Sequence, residues 1–259
     1  MTRRVAVVFA HPDDDTYGAG ASLALHAGED LEVTAIMTTS GEAGLIADET
    51  LASRETLGEV REAEDRAAWA ALGLEPDLHF LHNPDGGVAD LPREQLVATF
   101  LAILEPAWPQ VVITFGPDGV TAHEDHVAVG AAATAAFQAA RAAGADGFDR
   151  LLHVGLMRSR LDRMNALLLE RGLEPIDESA PFQPRGLPDD RFGVVVDGAS
   201  VYERKLAALR AHRTQAELQD LPVDLWPEIV STEAFAIAFH ERDPGAPVLH
   251  DVFEGLPGA

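Results

Sequence analysis

Two short runs constrain this chain more than any other feature: Val5-Ala6-Val7-Val8-Phe9-Ala10, entered from Arg4, and Val111-Val112-Ile113-Thr114-Phe115. Both are nearly all apolar and rich in β-branched residues. A strand with one face in water alternates polar and apolar positions, and these do not. They read as strands buried on both faces, the condition met in parallel sheets covered by helices. The segments between them fit that plan. Gly18 to Ala27 reads as a small-residue helix, Leu31 to Thr38 as a second strand, and Leu51 to Leu72 as a long helix closed by Gly73. Leu78 to Leu81 reads as a third strand, Leu91 to Leu104 as a third helix, and Asp125 to Ala143 as an Ala-rich helix. The order βαβαβαβα predicts an α/β fold with a right-handed, mostly parallel sheet.

The remainder is less regular. Leu151 to Leu156 reads as a fifth strand, Gly172 to Asp190 as a long loop or lid rich in Pro and charge, Phe192 to Val196 as a late strand and Val201 to Leu218 as a late helix. With 259 residues, 47% hydrophobic, and no repeat or convincing linker, the expectation is one domain over residues 1–259 with an elaborated C-terminal third.

Composition removes several function classes. The chain has no cysteine, so disulfides and thiolate metal sites are excluded and any metal must be held by His, Asp or Glu. The formal net charge of −24 disfavours phosphate backbones and anionic lipid. It reads as a device for solubility or salt tolerance, with attraction of cationic partners as the second reading. The first residues lack a secretory pattern, and no apolar run reaches the roughly 18–20 residues of a membrane span. A cytoplasmic protein is expected.

Ligands of open α/β sheets bind beyond the carboxyl ends of the strands. Three polar clusters fall at such ends: His11-Pro12-Asp13-Asp14-Asp15, Thr39-Ser40-Gly41-Glu42, and Gly116-Pro117-Asp118-Gly119 through His123-Glu124-Asp125-His126. Strands one and four are expected to be neighbours at the switch point, which brings the two His/Asp clusters to one crevice. Carboxylates crowded there repel and need a cation. Two His and one carboxylate form a common catalytic zinc set, and a leftover carboxylate suits proton abstraction from water. Singly, each cluster has a plainer reading. His-Pro can be a turn, Asp13 to Asp15 a helix N-terminus, and His123 to His126 a cap for the following helix.

Ala10-His11-Pro12-Asp13-Asp14 together with His123-Glu124-Asp125-His126 resembles the LmbE-like, or PIG-L, deacetylase family. Thr39 to Gly44 resembles its Gly-Glu loop. Arg61 and Glu64, running to Leu72-Gly73, resemble its Arg-x-x-Glu helix, and Pro84-Asp85-Gly86 resembles its Asp-Gly turn. Lys205, Ala208, His212 and Gln215 resemble its late helix. The resemblance covers about residues 4 to 216. It implies a Rossmann-like three-layer sandwich and a zinc-dependent hydrolase that removes an acetyl group from an N-acetylglucosamine derivative or similar N-acylated amino sugar. The metal, zinc or else ferrous iron, would be held by His11, Asp14 and His126. Asp13 would be the general base. His123 would stabilise or protonate the tetrahedral intermediate, with Asp125 holding its ring. Arg61 and Asp85 would hydrogen-bond sugar hydroxyls.

The chain departs from the family at Asp15, where Glu is common, at Glu124, where Pro is common, and at Thr121, where some relatives carry Tyr. Arg61 with Glu64 also fits a surface pair, Asp85-Gly86 a bare turn, and His212 with Gln215 a structural brace. The expected partner is a small N-acylated sugar, with no nucleic acid or membrane and with a homo-oligomer left open. Rival readings are an amidase for a larger conjugate such as a thiol-sugar adduct, a non-catalytic sugar- or nucleotide-binding module, and a metal phosphoesterase. The missing Gly-x-Gly-x-x-Gly turn argues against a dinucleotide, and the scarcity of Lys and Arg near the motifs argues against phosphate.

Overall fold

The first apolar run forms strand β1 (Arg3–Phe9) at the middle of the sheet, with Val5 to Phe9 enclosed. The computed structural model describes residues 2–215, 225–240, 243 and 245–256. In it β1 pairs in parallel with β2 (Leu31–Met37) on one side and β4 (Val111–Phe115) on the other. β3 (Asp77–Phe80) continues the parallel sheet beyond β2, and β5 (Arg150–Met157) continues it beyond β4. The two-residue β6 (Gly186–Leu187) adds to the end of β5. β7 (Val194–Asp197) and β8 (Thr232–Phe239) complete the order β3-β2-β1-β4-β5-β8-β7, with β8 antiparallel to both its neighbours.

Strand direction decides where the helices lie. The chain steps from β1 to β2 to β3 in one direction and then returns past both to β4. Right-handed crossovers therefore put α1 (Asp14–Ala24) and α2 (Leu57–Leu72) on one face, and α3 (Arg93–Ala107) and α5 (Glu124–Ala142) on the other. α7 (Tyr202–Ala211) packs with α1 and α2, while α3 packs on α5. Layers on both faces explain why β1 and β4 carry no polar alternation. Gly130 allows α5 to press on β4, since a Cβ there would lie 2.5 Å from the Phe115 carbonyl oxygen. The direction of travel reverses between β1 and β4, so their carboxyl ends border the switch-point crevice.

Several boundaries differ from expectation. α1 starts at Asp14 rather than Gly18, because Asp13 turns the chain with a φ of 105° and the helix follows at once. α2 starts at Leu57 rather than Leu51, since Ser53 to Thr56 closes a turn first. Helix α6 (Arg158–Glu170) was not expected. It buries only Leu161 and Leu168, which leaves a thin apolar stripe in the sequence. β8 was not expected either. The late helix ends at Ala211, and positions 216–218 of the expected helix fall outside the described residues. The short α4 (Gly119–Ala122) and α8 (Trp226–Val230) complete the helices named here.

Candidate active site

The β1–α1 loop is short and tightly folded. The His11 backbone N–H donates to Asp14 Oδ2 at 2.8 Å, and Tyr17 N–H donates to the Asp13 carbonyl at 2.9 Å. A non-glycine residue at positive φ costs about 1–3 kcal/mol and persists only where its surroundings fix it. At Asp13 that surrounding is Arg61. One guanidinium nitrogen donates to the Pro12 carbonyl at 2.5 Å and to Asp13 Oδ2 at 3.1 Å, and the other donates to the Gly41 carbonyl at 2.9 Å. Gly41 is at φ 66°, and a side chain there would collide with that guanidinium.

The β4–α5 loop braces itself. Asp118 accepts from the Val120 N–H at 3.1 Å, and His123 Nδ1 accepts from the Asp125 N–H at 3.2 Å as the cap of α5. The expected cap role of His123 is real and coexists with a place in the crevice. His126, one turn into α5, hydrogen-bonds through Nδ1 to the Gly119 carbonyl oxygen at 3.0 Å.

The two loops meet at three side chains. His11 Nδ1 lies 3.2 Å from His126 Nε2 and 3.4 Å from Asp14 Oδ2, and His126 Nε2 lies 3.4 Å from Asp14 Oδ1. Donors about 2.0–2.1 Å from one tetrahedral ion stand about 3.3–3.4 Å apart, so these spacings suit a shared cation. The remaining ring nitrogens are tied down as metal-bound imidazoles require. His11 Nε2 faces Asp85 Oδ1 at 2.9 Å and Asp125 Oδ2 at 3.3 Å, and His126 Nδ1 has Gly119. With those nitrogens carrying the protons, the lone pairs of His11 Nδ1 and His126 Nε2 point at one another beside a carboxylate. That donor set fits a divalent cation. Among the described residues, His11-His123-His126 and His11-Asp85-Asp125 also group closely enough to ligate an ion. In the second group Asp85 and Asp125 both approach Nε2, the nitrogen turned away from His126.

Burial and charge set the titration of the site. Burial pushes Asp13 up to about 7, Arg61 opposes this, and Asp14 adds to it. Burial acts on Asp14 in the same direction, but His126 and His11 hold it well below the usual carboxylate range. Burial disfavours charge on His11, yet hydrogen bonds to Asp125, Asp14 and Asp85 raise it well above its ordinary value. His123 is lowered by burial and by the neighbouring His11 and His126.

Every expected site residue reaches this crevice, but two face differently than expected. The Asp125 carboxylate does not hold the His123 ring. It accepts from Gly86 N–H at 2.7 Å and Val88 N–H at 3.0 Å and meets His11, so it orients a different histidine. Arg61 and Glu64 are not a surface pair. Arg61 is 4% exposed and bound as above, while Glu64 accepts from the Thr214 N–H and hydroxyl at 2.9 and 2.6 Å. Asp85 is more than a turn residue: Oδ2 accepts from Ala43 N–H at 2.8 Å, and its own N–H donates to Glu42 at 2.9 Å. His212 braces the interior, fully buried against the Thr16 hydroxyl at 3.2 Å.

Two sets of contacts were not expected from the sequence. Phe115, His126 and His123 stack in sequence and a tilted Phe182 follows, with ring centroids 4.1, 4.9 and 4.9 Å apart, from the core to an exposed Phe182 at the mouth. Phe182 is carried there by the expected 172–190 loop, which Arg158 grips through Glu178 and the Gly186 carbonyl. Lys205 of the late-helix motif enters α1, bonding the Tyr17 carbonyl at 3.0 Å and Glu233 at 2.5 Å; Glu233 in turn accepts from the Ala21 and Ser22 N–H groups.

The chain has matches among known proteins. A protein-family model described as GlcNAc-PI de-N-acetylase (PIG-L) matches residues 6–137, half of the chain. A 1D-myo-inositol 2-acetamido-2-deoxy-alpha-D-glucopyranoside deacetylase of Geodermatophilus obscurus is 32% identical, with 99% of each chain covered. Its counterpart from Tsukamurella paurometabola is 33% identical over 99% of this chain and 100% of its own. Among solved structures, N,N'-diacetylchitobiose deacetylase from Pyrococcus horikoshii matches with a TM-score of 0.61 at 22% identity, covering 91% of this chain and 83% of that one. A 4-carboxy-2-hydroxymuconate hydratase from Pseudomonas putida matches with a TM-score of 0.64 at 17% identity, covering 95% of this chain and 100% of that one. At these identities the structural likeness speaks for the fold alone, and the fold carries more than one chemistry.

Proposed function

The chain belongs to the PIG-L, or LmbE-like, deacetylase family, and from that premise we propose that it is a zinc-dependent hydrolase removing the acetyl group from an N-acetylglucosamine joined to a polyol of the inositol kind. The near full-length relatives act on such a glycoside, which supports the substrate class. The observation that carries the metal is the convergence of His11 Nδ1, His126 Nε2 and Asp14 at 3.2–3.4 Å. Ferrous iron is the alternative occupant of this donor set. The uninterrupted sheet from β3 to β7 supports one catalytic domain over residues 1–259. The absence of cysteine from the sequence agrees with a cytoplasmic protein, and no helix among the described residues is long and apolar enough to cross a membrane.

The roles follow from position and charge. His11, Asp14 and His126 would hold the cation, which would supply polarisation of the amide oxygen and acidification of water. Asp13, next to Asp14 and near neutrality in its titration, takes a proton from the attacking water. That proton passes to the leaving nitrogen, and acetate and a free amine depart. His123 uses Nδ1 on the Asp125 amide, which leaves Nε2 to donate to the oxyanion or the leaving amine. Asp125 and Asp85 orient His11. Asp85, at the rim, also meets sugar hydroxyls. The Arg61 groups facing Asp13 and the loop carbonyls keep the base in place.

Two variants test this reading. His11→Ala is expected to lose both bound metal and amide hydrolysis. Asp13→Asn is expected to keep the metal and lose turnover by about 100-fold or more, the scale of a missing general base. Full deacetylase activity in both variants would overturn the assignment.

A further inference from the structure

Helix α2 presents three residues at successive four-residue spacing, Arg61, Asp65 and Trp69, to the β1–α1 segment. Arg61 serves Pro12 and Asp13, as described. Asp65 is 0% exposed and Asp15 is 1% exposed. Asp15 Oδ1 is satisfied by the Thr16 N–H at 2.7 Å. No hydrogen bond of good geometry reaches Asp15 Oδ2 or either oxygen of Asp65. The Trp69 indole lies beside Asp15, and the Asp13 backbone amide faces Asp65. Two enclosed carboxylates in contact cannot both be ionised, because each is desolvated and each repels the other. The Trp69 indole N–H, itself without a well-formed partner, serves Asp15, which leaves both oxygens of Asp65 to be met by a carboxylic acid proton.

We propose that Asp65 is a positioning residue: as an uncharged carboxylic acid it donates to Asp15, faces the Asp13 amide, and so braces both neighbours of Asp14 from behind the crevice. The titration directions agree. Burial raises Asp65 well above the carboxylate range, and Asp15 and Asp13 raise it further. Asp15 already has the Thr16 N–H to stabilise its charge and Asp65 has no such donor on either oxygen, so the proton resides on Asp65. The inference rests on the reading of Asp14 as a metal ligand for its functional consequence, but not for the state of Asp65 itself.

The test compares Asp65→Asn, an uncharged isostere that still donates, with Asp65→Leu, which cannot. Zinc affinity is measured by competition with a chelator, alongside kcat and KM for an N-acetylglucosamine glycoside. Asp65→Asn is expected to stay within about twofold of the parent in zinc affinity and kcat. Asp65→Leu is expected to bind zinc about 10- to 100-fold more weakly, the scale of lost outer contacts, with kcat falling and KM steady. Loss of zinc affinity in Asp65→Asn equal to that in Asp65→Leu would overturn the proposal, as would an unaffected Asp65→Leu. Should Asp65→Leu not fold, carboxyl infrared difference spectra of parent against Asp65→Asn at pH 8 decide. A protonated carboxyl band lost in the variant is expected, and its absence from the parent overturns the proposal. That band does not depend on deacetylase activity, so it separates failure here from failure of the proposed function.

Discussion

Two buried histidines in this protein sit among carboxylates, and they do different things. His11 follows β1 at the crevice, and His26 follows α1 at the opposite end of the strands. His26 is 6% exposed, with Glu29 Oε2 3.0 Å from Nδ1, Asp251 Oδ2 2.8 Å from Nε2, and the Phe253 ring edge-on at 5.3 Å. Carboxylate neighbours favour the protonated form of both rings. The difference lies in what else arrives. Arg3 reaches Glu29 at 2.6 Å beside His26, so a cation is already built in. Among the described residues no guanidinium or ammonium pairs with the carboxylates that face the His11 ring. A second imidazole and Asp14 converge on Nδ1 instead. A histidine between carboxylates is therefore an ion pair by default. It becomes a candidate metal site when lone pairs from separate elements share one point without a resident cation.

The largest expected contrast comes from removing each ring. His11→Ala should lower zinc affinity by more than the roughly 10- to 100-fold typical of outer contacts. His26→Ala should leave zinc affinity unchanged and cost about 1–3 kcal/mol of stability by stranding polar partners. Chelator competition and denaturant melts check the two arms. A zinc defect in His26→Ala would erase the distinction.

The second contrast concerns the carboxylates. Asp125→Asn removes an acceptor from His11 Nε2 and should weaken zinc binding by about 10- to 100-fold. Asp251→Asn should leave zinc binding alone and bring the His26 pKa down toward 6.5, since Asp251 is the largest cause of its elevation. Zinc titration and histidine NMR read these separately.

The smallest effect is a pH dependence at His26. Its folded pKa is raised, first by Asp251, against burial, and with help from Glu29. Protons are therefore held more tightly when folded. This stabilisation is fully present below about 6.5, the ordinary histidine value, and is lost as pH rises through the folded pKa. The segment from 249 to 256, also held by Arg150 on the Val252 and Glu254 carbonyls at 2.7 and 2.8 Å, should lose hydrogen-exchange protection over that window. Unchanged protection would remove the role assigned to the pair.

The same contrast explains what the sequence made legible. β1 and β4 could be read because burial on both faces writes itself into consecutive residues. The two His/Asp motifs could be read because each is local, and adjacency of β1 and β4 follows from βα order. The direction of Asp125 could not, since its partner His11 is 114 positions away and reached only after the sheet forms. Arg61 was expected at sugar hydroxyls, and its turn to the Pro12 and Gly41 carbonyls was not legible because such partners leave no trace in residue identity. α6 has too thin an apolar stripe, and β8 carries the buried Glu233 near its start, where an apolar pattern would be expected. The interior pairing of Lys205 with Glu233 is likewise a property of the assembled helices and sheet.

The most direct test of the central claim is calorimetric titration of metal-free protein with zinc, run in parallel on the parent, His11→Ala and His26→Ala, with deacetylation of an N-acetylglucosamine–inositol glycoside followed on each sample. The account predicts one tight site per chain in the parent and in His26→Ala, with activity rising as that site fills, and neither in His11→Ala. Tight zinc binding that survives His11→Ala, or full hydrolysis by the metal-free parent, would contradict it.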